Sequence, residues 1–238
     1  MSWVLTSWTW MGRLPVADRL TLGVDTSTQV QVGLSDGKQV LASRTYDDPK
    51  RHVEQLAPLL STMITEVGLD ITAVTGIVVG VGPGPYTGLR VGIATARVLG
   101  SALGAEVRGV CSLDVLAAQW QRSERPDGDF LIATDARRRE VYWARYSADG
   151  VRIDGPSVGK PDQLPALPVA GPAALVHPEL ASTGLTQLDG PTRLDGGVLA
   201  LAGPDLPDAG IEPLYLRSPD AAPPGPRKSV LAHPRALR

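Results

Sequence analysis

A short apolar strand that ends in aspartate, then a run alternating apolar and polar residues up to an Asp-Gly turn, occurs twice in this chain. The first copy is LTLGVD from Leu20 to Asp25, followed by TQVQVGLSDGKQVLASRTY around Asp36-Gly37. The second is FLIATDARRREVYWARYSADG, whose strand ends at Asp135 and whose turn is Asp149-Gly150. Asp-Gly between alternating runs marks a hairpin, because both residues tolerate positive φ. Two such echoes imply a duplicated unit.

The first copy predicts strands over 20–25, 28–35 and 38–46. Next, HVEQLAPLLSTMITEVGL carries apolar residues at 53, 56, 60, 63, 64 and 67, which is helical spacing. Pro58 lies inside that pattern and predicts a bend. A strand over 74–80, a helix over 88–104, a strand over 106–110 and a helix over 112–122 complete a βββαβαβα order. That order implies a mixed sheet with helices on its faces. The polar stretch QRSERPDGD reads as a junction, and the Pro/Gly-rich residues after 150 read as a smaller, eroded second copy ending near IEPLYLR. The expected division is an extension over 1–19, disordered or arising from a mis-called start; a first domain over 20–122; a second over 123–217; and a disordered, Pro-rich basic tail over 218–238.

Of the 238 residues, 43% are hydrophobic and 20% charged, which suits a packed core and excludes global disorder. The net charge of −2 carries no basic footprint of the kind that grips nucleic acid unaided, so any RNA would be held indirectly. One cysteine, Cys111, excludes a disulfide framework and fits a reducing, cytoplasmic setting. No apolar run approaches the roughly 18 residues of a membrane span. The Trp-rich N-terminus lacks the basic start of a signal peptide.

The loop VGPGPYTGLR, Val81 to Arg90, stands between a strand and a helix, where a phosphate cradle would stand. A P-loop needs a lysine after its last glycine, and here Leu89 follows Gly88. A dinucleotide fingerprint needs a third glycine one position earlier. Pro83 and Pro85 also remove two amide donors that an anion nest would use. The loop therefore reads as a stiff turn, with Thr87 available to cap the helix. Along that helix Gly88, Gly92, Ala96, Gly100 and Gly104 fall four apart and form one smooth ridge. Such a ridge suits either close packing on the chain's own sheet or a tight interface with a partner helix, and the pattern alone leaves both open.

Asp25-Thr26-Ser27-Thr28 at a strand end could lie near a metal-bound nucleotide, or could form an Asx-type turn. A phosphotransferase built on duplicated halves would want a second such loop. The second copy instead reads Asp135-Ala136-Arg137-Arg138-Arg139, bulky and basic. His52 lacks a second metal ligand one turn on, where Leu56 stands, and His177 and His233 lie in loop-like or tail segments, so no metal site is expected. No catalytic constellation can be assembled.

The segments LGVDTSTQVQVGL, RHVEQLAPLL, GVGPGPYTGLRVGIATARVLGSALGAEVRGVCSLDVLA, TDARRREVYWARY and PLYLR resemble the TsaB family, the dimerization subunits of the bacterial tRNA threonylcarbamoyladenosine machinery. The resemblance spans about residues 20–217 and is most specific from Gly80 to Ala117. It implies an α/β, actin-like (ASKHA) fold of two RNase H-like domains with mixed sheets, flanking helices and a reduced second domain. It implies a non-catalytic partner of TsaD that also engages the ATPase TsaE and can pair with a second copy of itself. No cofactor would be bound tightly by this chain, and ATP with magnesium would enter only with the complex. The family pairs through the first two helices of its first domain, here His52 to Val67 and Gly88 to Leu103. That implies an interface of His52, Leu56, Leu60, Met63, Gly88, Arg90, Gly92, Ala96, Gly100 and Gly104, and it favours the interface reading of the glycine ridge. An ASKHA-type small-molecule kinase using Asp25 and Thr26 is the rival from another class, and a metalloprotease is a weaker third.

Overall fold

The computed structural model describes residues 19–47, 53–124, 126–182 and 190–217. Residues 1–18 of the expected extension, the expected tail and His52 lie outside these residues. Strand β1 (Thr21–Asp25) is central to a five-stranded sheet. β2 (Val30–Ser35) and β3 (Val40–Tyr46) follow antiparallel on one side, while β4 (Gly76–Gly80) and β5 (Glu106–Val110) add in parallel on the other. The order β3-β2-β1-β4-β5 is that of an RNase H-like sheet. β6 (Phe130–Asp135), β7 (Val141–Tyr146), β8 (Arg152–Gly159) and β9 (Val169–Ala170) repeat it as β8-β7-β6-β9, short of one strand. The duplicated, eroded unit read from the sequence is therefore present as two mixed sheets.

Alternation explains the first sheet. Leu22 and Val24 of β1, Val30, Val32 and Leu34 of β2, and Ile77 and Val79 of β4 face α1 (Leu56–Val67) and α2 (Tyr86–Leu103), and all are buried in one core. The opposite face carries Gly23, Asp25, Gln31, Gly33 and Gly80, which are small or polar, together with Val78 of β4, which packs in a separate core. That face is covered by α5 (Gly196–Ala202), a helix from the far end of the sequence. Gly196 lies backbone-to-backbone on β2; a Cβ there would stand 2.5 Å from the carbonyl carbon of Val32. Asp195 caps α5 by accepting from Gly197 N (2.6 Å) and Val198 N (3.2 Å).

The helices cross the division drawn at residue 122. α3 (Ser112–Ser123) follows β5, yet Leu116 and Trp120 pack in one core with Phe130, Ile132, Ala144 and Tyr146 of the second sheet. α5 lies in the second half of the sequence and covers the first sheet. The two lobes thus share helices.

Two local expectations are corrected. Pro58 is the third residue of α1, within the first turn, where amides have no intrahelical acceptor. It costs no hydrogen bond, and the irregularity lies upstream as a 3-10 turn over Val53–Gln55. Thr87 does not cap α2: the helix starts at Tyr86 behind Pro85, with no side-chain cap. The second half also holds a short helix, α4 (Pro178–Ser182), behind the 3-10 turn Pro172–Leu175.

Candidate functional site

Asp25, the last residue of β1, is fully buried. Its Oδ1 accepts from Ser27 N at 2.8 Å and Ser27 Oγ at 2.6 Å, and its Oδ2 accepts from Ser112 Oγ at 2.5 Å. A Cβ at Gly80 would overlap that same Oδ2. Ser112 N in turn donates to Gly82 O at 2.8 Å. Burial raises the Asp25 carboxyl above its ordinary range, against the pull of these donors. The loop Val81–Pro85 folds down over the β1–β2 turn. A Cβ at Gly84 would lie 2.6 Å from Ser27 O, and Thr26 Oγ1 donates to Gly88 O at 2.7 Å. Thr26 and Ser27 are buried beneath it, with Thr28 half-buried at the edge. Asp25 therefore joins β1, the β1–β2 turn and the start of α3.

The glycine ridge corrects the interface expectation. Gly88, Gly92, Ala96 and Gly100 are buried and face the first sheet. A Cβ at Gly92 would collide with Thr26 Oγ1, and one at Gly100 with the Val107 side chain. Gly104 is not on the ridge: it ends α2 in a left-handed conformation, φ 65°. In α1, Leu56, Leu60 and Met63 are also core residues, packed against β1, β2 and β3. Of the residues assigned to the interface, Arg90 is exposed on the outward face of α2. A second row of four-residue spacing runs there, Arg90, Ala94, Val98 and Ala102, all exposed, with Val98 at 68%. Two residues of helix turn the chain by about 200°, so this row lies opposite the buried one.

At the start of that row the Arg90 guanidinium stands 3.9 Å above the Tyr86 ring, and its Nε donates to Tyr215 Oη at 2.9 Å. The Tyr86 and Tyr215 rings stack at 4.8 Å. Arg97 pairs with Glu212 at 2.6 Å, and the groove among these residues has a volume of about 420 Å³.

The family model for TsaD, tRNA N6-adenosine threonylcarbamoyltransferase, matches residues 39–196. The chain belongs to this family. Within it, the similarity is to the TsaB branch. Escherichia coli TsaB, named a tRNA threonylcarbamoyladenosine biosynthesis protein, is 38% identical over 104 residues, which is 42% of this chain and 43% of that protein. An uncharacterized Mycobacterium leprae protein is 44% identical over 217 residues, covering 86% of this chain; the chain spans only 56% of that relative's length. YeaZ from Pseudomonas aeruginosa superposes with a TM-score of 0.65 at 24% identity, over 83% of this chain and 100% of that one, so the two share the actin-like fold.

In this TsaB-branch chain a segment near the end of the described residues ties the lobes together, and sequence reasoning did not single out its side chains. Leu214 N donates to Val81 O at 2.8 Å, and the Leu214 side chain packs against the cores of both lobes. Tyr215 meets Arg90, while Arg217 donates to Ala136 O at 2.9 Å and pairs with Glu140. Only the resemblance of PLYLR marked this segment; no local pattern reports contacts across 125 residues of chain.

Asp114 accepts from Tyr146 Oη at 2.8 Å and lies 3.6 Å from Arg152, and burial raises its carboxyl. Burial pushes the Cys111 thiol up to about 12, which leaves it inert. Among the described residues no group of three or more His, Cys, Asp or Glu could hold a metal ion, and no helix is long and apolar enough to cross a membrane.

Proposed function

We propose that this chain is a non-catalytic subunit of tRNA threonylcarbamoyladenosine biosynthesis, one that binds and activates a TsaD-type transferase through the outer face of α2 and the neighbouring face of α1. TsaD would transfer the threonylcarbamoyl group from its adenylate to the exocyclic amine of the adenosine 3′ to the anticodon. This chain would hold TsaD in its working conformation and help to engage TsaE in the cytoplasm. The observation that carries the reading is the exposed row Ala94, Val98 and Ala102. Small side chains at four-residue spacing let a second helix approach closely, and the approach buries Val98. The sealed Asp25 clasp supports the non-catalytic part, since no open carboxylate faces a nucleotide there. ATP and magnesium would belong to the assembled complex. The same face would serve a homodimer when TsaD is absent.

The test is size-exclusion chromatography of the full chain with purified TsaD from the same cell. Val98→Asp introduces a charge on the outer row and is expected to abolish co-elution while the chain stays folded by circular dichroism. Co-elution of V98D at the wild-type level rejects this face as the interface.

A further inference from the structure

The turn between β6 and β7 runs from Ala136 to Glu140. Ala136 N donates to Glu140 O at 2.9 Å and Glu140 N to Arg137 O at 3.0 Å, so the turn is closed by backbone bonds at its base. Between them Arg137, Arg138 and Arg139 all adopt left-handed backbone, with φ of 63°, 55° and 60°. This conformation is disfavoured for residues with a Cβ, and glycine would occupy it freely. The chain instead holds three exposed arginines there. Successive residues of such a turn point about 100° apart, so the side chains fan outward rather than stack on one face.

The turn is braced from both sides. Arg217 donates to Ala136 O and pairs with Glu140. Asp135 accepts from Arg137 N at 3.1 Å and meets His177 Nε2 at 3.0 Å. The Arg137 side chain is 80% exposed, with its Nε 3.9 Å from Asp135 Oδ2, and Arg139 has no ion-pair partner among the described residues. The corresponding turn of the first lobe, residues 26–29, carries no charged side chain and lies largely beneath the Val81–Pro85 loop. The two copies have therefore diverged: one turn is closed over, and the other displays guanidinium groups on a fixed frame. Guanidinium is the side-chain group best matched to phosphate oxygens.

We infer that the Arg137–Arg139 turn contacts the phosphate backbone of RNA, adding a local anchor on a chain whose overall charge gives it no general affinity for nucleic acid. The inference rests on the proposed role in tRNA modification. RNA is preferred to an acidic protein face because that role brings a phosphate chain to the complex.

The probe is a fluorescein-labelled tRNA anticodon stem-loop, followed by anisotropy against the full chain, alone and with its TsaD partner, over a potassium chloride series. The triple variant R137G/R138G/R139G suits the left-handed backbone, so its melting temperature should equal or exceed that of wild type. Its RNA affinity in the complex should nevertheless fall at least about tenfold, with a log–log salt slope shallower by roughly two. R139A alone should lower that slope by about 0.7–0.9. Association with TsaD should survive both changes, which separates failure of this inference from failure of the subunit role. Unchanged affinity and slope in the triple variant overturn the inference, as does an absence of RNA binding by the wild-type complex. A triple variant that keeps RNA but loses TsaD also overturns it, and would make the turn a protein contact.

Discussion

The hydroxyl of Ser112, the first residue of α3, donates to the buried carboxylate of Asp25, the last residue of β1, at 2.5 Å. The bond spans 87 residues of sequence and ties the strand that centres the first sheet to the helix that covers the second.

Ser112→Ala tests that tie. It removes the shortest donor to a carboxylate that no water can reach. Leaving a buried acceptor short of a partner costs about 1–3 kcal/mol. The expected result is a lower urea midpoint with an unchanged m-value. A wild-type midpoint would show that the clasp carries no stability.

The pH dependence follows from the buried acids. Asp114 is raised from its ordinary value of 3.8 chiefly by burial, against the pull of Arg152 and the Tyr146 hydroxyl. Between the unfolded value and the raised folded one, the native state binds the extra proton, so stability is full below about pH 3.8 and declines as pH rises through the folded value. Asp25 acts in the same direction. Asp114→Asn removes one such group. The difference in unfolding free energy, wild type minus variant, should therefore become less favourable as pH rises from 4 to 7; a flat or rising difference contradicts the assignment.

The two faces of α2 should respond oppositely to substitution. Gly92→Leu forces a side chain into Thr26 and should destabilise the isolated chain by at least about 1–3 kcal/mol. Val98→Asp, on the exposed row, should change the stability of the isolated chain by no more than about 0.5 kcal/mol, while weakening association. Thermal melts and size-exclusion on the same two proteins check both. The reverse pattern would mean that the rows have been assigned to the wrong sides.

Cys111 should be silent in the native chain. Its thiol is buried and pushed up to about 12, so the reactive thiolate is scarce at pH 8. Labelling by a disulfide reagent should proceed only as fast as the chain unfolds, and should become immediate in urea. Rapid labelling without denaturant would contradict the burial of this residue.

Much of the fold is legible locally. The Asp-Gly hairpins, the alternation in β1 and β2, and the helical spacing of Leu56, Leu60, Met63 and Ile64 reflect periodicities of 2 and 3.6 that backbone geometry imposes on any buried face. Pro58 misleads because its effect depends on its distance from the helix start, and helix starts are set by capping and packing as much as by pattern. The candidate site is less legible. Asp25 and its hydroxyl neighbours stand out in the sequence, but whether a turn is open or covered depends on a loop more than 50 residues away.

The sequence by itself determined the succession of strands and helices, the repeated unit, and the presence of a smooth ridge along α2, because each is written in the spacing of neighbouring residues. Only the tertiary structure decided which way that ridge faces. Gly88, Gly92 and Gly100 form one row, and Ala94, Val98 and Ala102 form another on the opposite side. Both are made of small or apolar side chains, so either could have met the sheet. The contacts of Gly92 with Thr26 and of Gly100 with Val107 settle the inner row. The exchange of α3 and α5 between lobes was settled in the same way, by which buried surfaces fit, and no local pattern encodes that.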